Sequence, residues 1–227
     1  HGTYPFVTSS NTVAGAASTG SGVGPGVFNK VLGITKAYTT RVGSGPFPTE
    51  LNDSNGKHLA DIGIEFGATT GRPRRCGWLD LVALRRAIVN NSISHLCLTK
   101  IDVLDGLEEI NVAVEYELSG KVFSIMPNLN EQDLGKCKPI YKTFKGWKTQ
   151  TKGIKQFNDL PDNAKKYINE LEKFIQCKVS SISTSPERND TILVEAETYT
   201  HLRAHETEDA LVCRHLLEKK KGGGGGG

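Results

Sequence analysis

The sequence predicts an α/β fold with a mostly parallel sheet and flanking helices, because strand and helix patterns alternate along the chain. A helix over residues 79–90 precedes a short apolar strand over 94–99. A second helix, opened by Pro161, precedes a strand over 178–183. The apolar fraction of 37% is enough for a buried core, so the composition excludes a wholly disordered chain.

The N-terminal segments are predicted, in order, as loop, helix, strand, turn and hairpin. Residues 1–26 are rich in Gly, Ser and Thr, which is typical of a loop. Apolar residues at helical spacing predict a helix over 27–37, and a β-prone run follows over 38–42. Gly and Pro residues over 43–48 predict a turn, and the Asn-Gly pair at 55–56 predicts a hairpin.

The spacing of apolar residues and the glycines that bound loops predict the remaining elements. A glycine-bracketed loop with three arginines occupies residues 67–75, ahead of the helix over 79–90. Alternating apolar residues predict a strand over 110–118, with which residues 121–125 can pair. The helix that Pro161 opens has an apolar stripe that we expect to be buried. This stripe consists of Ala164, Tyr167, Ile168, Leu171 and Ile175.

The charge balance is mild, and no targeting segment is visible. With 28 basic and 25 acidic residues the net charge is +3, which does not by itself indicate a nucleic-acid or membrane partner. No stretch approaches about 18 apolar residues. The start at His1, without a methionine or a signal peptide, suggests a processed or truncated chain. The five cysteines form no CxxC pair, which favours a reduced, cytosolic protein over a disulfide framework.

Two strand ends carry residue types that suit a guanine base. Lys100 and Asp102 follow the strand over 94–99, at the position where open α/β sheets bind ligands. A carboxylate there can accept charge-assisted hydrogen bonds from guanine N1–H and its 2-amino group, a donor pair that adenine lacks. Small hydroxylic residues over 183–186 can present backbone N–H groups to the guanine O6. The alternative for the Lys100–Asp102 segment is a strand end followed by a solvated turn. The sequence also contains no Gly-x-x-x-x-Gly-Lys-Ser/Thr phosphate loop.

Three further segments have both a binding and a plain structural interpretation. The loop with Thr69, Thr70 and the arginines at 72–75 suits a small carboxylate or phosphate, or is a basic surface turn. Residues 8–12 can bind a phosphate, although a polar loop is the simpler interpretation. Seven lysines with interleaved aromatic residues over 136–155 can form a stripe for single-stranded nucleic acid. A solvated face whose aromatic residues turn inward is the favoured interpretation.

Several longer strings resemble the adenylosuccinate synthetase family. They are HGTYP at 1–5, VTSSNT at 7–12, TRVG at 40–43, GPFPTE at 45–50, EFGATTGR at 65–72, GWLD at 77–80, LTKIDVLDG at 98–106 and IST at 182–184. The resemblance covers residues 1–193 in register and corresponds to the C-terminal half of the family's chain. Pro73 departs from it, since bacterial relatives often have arginine there, and Ser185 stands where glycine is common.

The resemblance implies a GTP-dependent ligase of purine nucleotide biosynthesis, with a P-loop-type fold, that works in the cytosol as a homodimer and requires Mg²⁺. In this family GTP phosphorylates O6 of IMP, and the amino group of L-aspartate then displaces the phosphate. The family's phosphate loop, catalytic Asp and His, and magnesium ligands would lie upstream of His1. No residue of this chain is therefore assigned a catalytic or metal-binding role, and we expect the chain alone to be inactive.

The resemblance also implies three groups of binding residues. The IMP contacts would be Thr8, Val42 and Arg72. The L-aspartate contacts would be Thr69, Thr70 and Arg72. The GTP contacts would be Arg74, Lys100, Asp102, Ser183, Thr184 and Ser185.

Two parts of the chain are predicted. Residues 1–193 form the part similar to adenylosuccinate synthetase. Residues 194–227 form an unrelated tail, with a short helix capped by Thr207 and six terminal glycines.

The alternative function is a non-catalytic guanine-nucleotide binding or interaction module. A phosphate loop upstream in the same gene would favour the ligase, and a steep salt dependence of binding would favour the nucleic-acid interpretation.

Overall fold

The structure is a computed structural model, and it describes residues 11–67 and 71–194. Within these ranges the chain forms helices, strands and three short 3₁₀ turns at Pro25–Val27, Ile101–Leu104 and Phe157–Asp159. The α-helices are α1 (Gly15–Ser21), α2 (Ser54–Ile62), α3 (Leu81–Asn91), α4 (Glu131–Lys136) and α5 (Asp162–Ile175).

The main sheet has four strands, and three of them are parallel. Its strands are β1 (Leu32–Lys36), β5 (His95–Thr99), β9 (Lys178–Ser183) and β10 (Thr191–Leu193), in the order β1-β5-β9-β10. β1, β5 and β9 run parallel, and β10 is antiparallel to β9. Helix α3 precedes β5 and helix α5 precedes β9 along the chain. The predicted α/β fold with a mostly parallel sheet is therefore confirmed.

A second sheet is built around the long strand β6 and is largely antiparallel. The remaining strands are β2 (Thr39–Arg41), β3 (Arg75–Gly77), β4 (Leu79–Asp80), β6 (Glu109–Leu118), β7 (Lys121–Phe123) and β8 (Lys138–Lys145). β6 pairs with β4 in parallel and with β7 and β8 antiparallel, while β2 and β3 form a separate antiparallel pair. Both sheets share one buried core, to which β5 contributes Leu98 and β6 contributes Val112.

Elements with a strong local pattern form as predicted. Helix α3 begins directly after Asp80, whose carboxylate accepts the N–H of Ala83 at 3.0 Å and so caps the helix. Helix α5 follows Pro161 and buries all five residues of the predicted stripe. Within that stripe, Tyr167 Oη donates to the carbonyl of Ala37 at 3.1 Å, which fixes the helix against the end of β1. Strand β7 pairs with the end of β6, as the alternation predicts.

The predicted helix over residues 27–37 is wrong. Leu32–Lys36 is the strand β1, and Ile34, one of the apolar residues behind the prediction, is 77% exposed. Pairing with β5 outweighs a short helical pattern that buries no continuous stripe. Gly33 supports the strand, because a Cβ there would lie 2.7 Å from Ile93 Cδ1. The predicted loop over 1–26 is also partly wrong, since Gly15–Ser21 forms α1.

The predicted hairpin at residues 55–56 is wrong as well, because these residues lie in the first turn of α2. Asp53 is the N-cap, and its carboxylate accepts the N–H of Gly56 at 3.0 Å. Gly56 also passes close to the backbone of Leu51, whose carbonyl oxygen would lie 2.3 Å from a Cβ. The Asn-Gly pair therefore serves a helix start and not a two-residue turn.

The lysine-rich segment over residues 136–155 covers the last residue of α4, the strand β8 and the loop that follows β8. Trp147 is 3% exposed, and Phe144 makes an edge-on ring contact with the buried Tyr167. Tyr141, by contrast, is 37% exposed. Two of the three interleaved aromatic residues thus turn inward, as the interpretation of a solvated lysine face predicts.

Candidate functional site

Three parallel strands of the main sheet end at the same edge, and this edge gathers the predicted guanine-binding residues. Lys36, at the end of β1, lies opposite Thr99, at the end of β5. On the other side of β5, Leu98 pairs with Ile182 of β9. Lys100 and Ser183 therefore follow neighbouring strand ends. The carboxyl edge of a parallel sheet is where α/β proteins bind ligands, so we treat it as the candidate site.

A fully buried carboxylate, that of Glu65, lies at this edge. Its Oε1 accepts hydrogen bonds from Lys36 Nζ at 2.9 Å and from Lys100 Nζ at 2.7 Å. Its Oε2 accepts one from Arg74 Nη1 at 2.8 Å. Tyr38 Oη donates to Oε1 at 2.5 Å. One negative charge therefore meets three cations, whose side chains are 26–33% exposed, and we call these four charged residues the Glu65 cluster.

The cluster keeps its carboxylate ionised. Burial alone would raise the pKa of Glu65, but the hydrogen bonds from Lys100, Tyr38, Lys36 and Arg74 bring the pKa down to about 2. Burial lowers the pKa of Lys36 and, together with the bond to Glu65, raises the pKa of Tyr38. At neutral pH an ionised carboxylate thus accepts from a neutral tyrosine and from the surrounding cations.

The turn that leads into Glu65 is strained. Ile64 has a φ of 49°, in the left-handed region, which costs roughly 1–3 kcal/mol for such a residue. The preceding Gly63 has no room for a side chain, since a Cβ would lie 2.3 Å from Tyr38 Oη. Lys100 Nζ also donates to the carbonyl of Gly63 at 2.6 Å. The fold therefore accepts an unfavourable backbone conformation at the position that brings Glu65 into the cluster.

Lys100 and Asp102, which are predicted to bind the guanine base, lie on a sharp turn after β5. Lys100 has a φ of 59°, and Asp102 lies in the 3₁₀ turn that follows it. Asp102 is half-buried, and burial raises the pKa of its carboxyl group. Among the described residues, none other than Asp102 itself donates a hydrogen bond to this carboxylate. The carboxylate of Asp102 can therefore accept further donors from a ligand.

Asp105 anchors the other end of this turn. Its carboxylate accepts Trp147 Nε1–H at 2.6 Å, the N–H of Thr151 at 2.7 Å and the hydroxyl of Thr151 at 2.9 Å. The N–H of Gly106 donates to the carbonyl of Trp147 at 2.9 Å. The bonds from Thr151 span 46 residues of sequence. The placement of Asp102 thus depends on the loop after β8.

The second predicted guanine-binding segment, after β9, is a tightly bonded loop. The Thr184 N–H donates to the carbonyl of Asp190 at 3.0 Å, and the Thr184 hydroxyl lies within hydrogen-bond distance of two carbonyls, that of Ile154 at 2.9 Å and that of Asp190 at 3.0 Å. The Ser185 hydroxyl donates to the Asp190 carboxylate at 2.8 Å, and the Ser183 hydroxyl donates to the carbonyl of Ser185 at 2.8 Å. All three hydroxyls therefore donate within the protein, and so does the backbone N–H of Thr184.

The remaining described candidates lie on loops beside the edge. Arg74 belongs to the Glu65 cluster, and its backbone N–H donates to the carbonyl of Glu65 at 2.8 Å. Arg72 is exposed, and its carbonyl accepts the N–H of Gly67 at 2.8 Å. Val42 follows β2 and is 65% exposed. Arg72 and Val42 are thus accessible to a ligand, whereas Arg74 is held in place by Glu65.

Some predicted residues fall outside the described ranges. These are Thr8, Thr69 and Thr70, together with the tail after residue 194 and its predicted cap Thr207. Within the described ranges, no group of three or more His, Cys, Asp or Glu side chains could hold a metal ion. The helices of this part of the chain lack the length and apolar character needed to cross a membrane.

The sequence matches one protein family over most of its length. A profile of the adenylosuccinate synthetase family matches residues 1–192. The chain belongs to the adenylosuccinate synthetase family. It is 57% identical over 195 residues to adenylosuccinate synthetase of Nitrosomonas europaea, which covers 85% of this chain and 45% of that protein.

Other adenylosuccinate synthetases give the same picture. The protein of Halorhodospira halophila is 55% identical over 195 residues, covering 85% of this chain and 45% of that protein. The fold matches the structure of fully ligated adenylosuccinate synthetase from Plasmodium falciparum with a TM-score of 0.82 and 42% identity, over 86% of this chain and 46% of that one. The chain thus spans less than half the length of these relatives. The resemblance read from the sequence, including the P-loop-type ligase fold, is confirmed.

The family motifs did not single out Glu65, Lys36 or Tyr38. Glu65 lies within the string EFGATTGR, which supported the assignment to the adenylosuccinate synthetase family, but the string gave it no role. The available signal was weak, namely one acidic residue just ahead of an arginine-rich loop. Nothing local connects it to Lys36 or Lys100, which are 29 and 35 residues away in sequence.

Acid should weaken the fold through Glu65. A carboxyl group with a lowered pKa stabilises the folded state above its unfolded pKa of 4.5, and this contribution is lost as the pH falls toward about 2. In that window we expect Glu65 to lower the free energy of unfolding by up to about 1.4 kcal/mol per pH unit. Urea unfolding of the wild type and of Glu65→Gln across the window measures the difference in slope. Equal slopes contradict the prediction.

Proposed function

We propose that this chain carries the guanine-nucleotide site of an adenylosuccinate synthetase, a GTP-dependent ligase that joins IMP and L-aspartate. The single observation that carries the proposal is the shared edge of β5 and β9, where the half-buried Asp102 has no donor from any other described residue. Such a carboxylate can accept both N1–H and the 2-amino group of guanine. Membership of the family supports the reaction class.

The Glu65 cluster supports a polyanionic ligand at the same edge. Three cations face one carboxylate, which leaves an excess of positive charge beside Asp102. Two of those cations, Arg74 and Lys100, are proposed GTP contacts. A positive field at a partly exposed edge raises the local concentration of an anion such as a nucleoside triphosphate.

The other proposed contacts follow the family. They are Ser183, Thr184 and Ser185 for GTP, Thr8, Val42 and Arg72 for IMP, and Thr69, Thr70 and Arg72 for L-aspartate. The exposure of Val42 and Arg72 is compatible with a role in substrate binding. We further propose that residues 1–193 form the enzyme part and 194–227 a separate tail, and that the enzyme acts in the cytosol as a homodimer.

The proposed reaction has two steps. The γ-phosphoryl group of GTP is transferred to O6 of IMP, which leaves GDP, and the amino nitrogen of L-aspartate then attacks C6 and expels the phosphate. The described residues offer no set of ligands for the magnesium ion that the family uses, so no step is assigned to a metal here. Their part in the proposal is to bind GTP and to select its base.

The test uses a protein in which this chain is completed with the segment that its relatives have and it lacks. This chain, joined to the part of the Nitrosomonas europaea protein that it does not cover, should form adenylosuccinate from IMP and L-aspartate in the presence of GTP and magnesium. Chromatographic separation of the nucleotides measures the product, and we expect no turnover from this chain alone. GTP binding without turnover by the joined protein supports the alternative, a non-catalytic guanine-nucleotide module. Absence of GTP binding contradicts both functions.

A further inference from the structure

We propose that Glu65 is a positioning residue for nucleotide binding and that Lys36 is a further member of the site. Glu65 acts by holding three cations in fixed relative positions at the carboxyl edge of the main sheet. The inference rests on the proposed function, because Lys100 and Arg74 are proposed GTP contacts. Neither Glu65 nor Lys36 is assigned a role by the motifs of the sequence.

The three cations come from separate parts of the chain and meet only at Glu65. Lys36 ends β1, Lys100 begins the turn after β5, and Arg74 lies just before β3. Lys36 Nζ donates to both carboxylate oxygens of Glu65 at 2.9 Å. Like charges so close together repel one another, and the shared carboxylate is what keeps them adjacent. A single side chain therefore sets the spacing of three positive charges.

Glu65 cannot itself contact a ligand. Its carboxylate is fully buried and accepts five hydrogen bonds, two from Lys36 and one each from Lys100, Arg74 and Tyr38. These bonds use the acceptor capacity of both oxygens. The three cations, by contrast, keep 26–33% of their side chains exposed. Any effect of Glu65 on a nucleotide must therefore pass through them.

Positioning and simple electrostatics predict opposite results when the charge of Glu65 is removed. If the cations stayed in place, the loss of a nearby negative charge would strengthen the binding of an anion. If Glu65 holds them in place, its loss lets Lys36, Arg74 and Lys100 move apart, and binding weakens. The sign of the change in GTP affinity thus separates the two roles.

The first measurement is GTP affinity by isothermal titration calorimetry on the 227-residue chain. Glu65→Gln should weaken GTP binding by about 10-fold to 100-fold, the loss typical of a charge-assisted contact. Glu65→Asp keeps the charge on a shorter side chain and should recover part of the affinity. Glu172→Gln is the matched control, because Glu172 accepts from the N–H of Val179 near the start of β9, at the opposite end of that strand. It should leave GTP affinity within about twofold, since it touches no cation of the cluster.

The second measurement needs no ligand. Acylation of lysines, followed by mass spectrometry, reports how firmly each ammonium group is held. In the wild type Lys36 and Lys100 should react more slowly than Lys148, whose side chain is 83% exposed. In Glu65→Gln both should approach the rate of Lys148, while in Glu172→Gln both should keep their slow rates.

These outcomes keep the two proposals apart. If Glu65→Gln binds GTP as well as or better than the wild type, or if the acylation rates of Lys36 and Lys100 do not change, the positioning role is overturned. If the wild-type chain binds no GTP, the proposed guanine-nucleotide site fails in this chain, and the acylation rates alone decide whether Glu65 holds the lysines. Should Glu65→Gln fail to fold, Glu65→Asp carries both measurements, with an intermediate loss of affinity and intermediate acylation rates expected.

Discussion

Asp102→Asn should raise the Michaelis constant for GTP by roughly 30-fold to several hundred-fold in the enzyme completed with the remaining family segment. The change keeps the shape of the side chain but replaces one acceptor oxygen with a donor amide. That amide would face a guanine donor, so a charge-assisted bond is lost and two donors meet, at a cost of about 2–4 kcal/mol. Initial rates at varied GTP concentration measure the effect.

Two comparisons make the Asp102 prediction specific. The constants for IMP and L-aspartate should move much less, because their proposed contacts lie elsewhere. Xanthosine triphosphate presents an acceptor where guanine has its 2-amino group, so the variant should use it better than the parent does. Asp162→Asn is the matched control, at a side chain that is 88% exposed. A GTP constant within twofold of the parent, with no gain on the xanthine nucleotide, would show that Asp102 does not read the base.

Gly146→Ala should destabilise the fold by about 3–5 kcal/mol. A Cβ at this position would lie 1.9 Å from the carbonyl oxygen of Leu107 and 2.7 Å from its carbonyl carbon. Backbone atoms cannot move aside as the end of a flexible side chain can. The N–H of Gly146 also donates to the carbonyl of Glu108 at 2.8 Å, which fixes the two segments against each other. The midpoint of urea unfolding measures the loss.

Gly135→Ala is the matched control for Gly146→Ala. Gly135 lies in helix α4, and the nearest atom to its Cβ would be Pro46 Cγ at 4.0 Å, an ordinary contact. Alanine is a better helix former than glycine, so this change should stabilise the protein by up to about 1 kcal/mol. If both variants unfold at similar urea concentrations, the close approach at Gly146 is not what limits that position.

Those parts of the fold whose signals are local could be predicted from the sequence. The stripe of α5 repeats over three turns, and Asp80 gives α3 a clear start, so both helices form where the pattern places them. β1 could not be predicted in this way, because Gly33 and the exposed Ile34 are explained only by pairing with β5, some sixty residues later in the chain. The hairpin prediction from the Asn-Gly pair at 55–56 was wrong because the helix cap at Asp53 determines the local structure.

In the candidate site, too, the residues of a local motif were predicted, and a residue whose role depends on contacts distant in sequence was not. Lys100 and Asp102 were predicted because a short motif after an apolar strand has a chemical meaning of its own. Glu65 was not, because its role depends on three cations that are distant in sequence and meet only in the folded chain. The loop after β9 was predicted to present backbone N–H groups to the base, and the sequence did not show that its hydroxyls bond within the loop, as Ser185 does to Asp190. Motifs thus indicate which residues touch a ligand more readily than which residues hold them in place.

The parallel arrangement of the main sheet also governs the order in which the chain can assemble. The hydrogen bond from the Val31 N–H to the Ser94 hydroxyl, just before β1 and β5, spans 63 residues of sequence. The one from the Ser180 hydroxyl in β9 to the Leu96 carbonyl in β5 spans 84. Closing such long loops costs chain entropy before any contact is gained, whereas the β6–β7 hairpin closes over two residues. The hairpin can therefore form early, whereas the main sheet forms only after its long loops have closed. On a ribosome, the carboxyl edge that carries Lys100 and Asp102 stays incomplete until β9 has emerged.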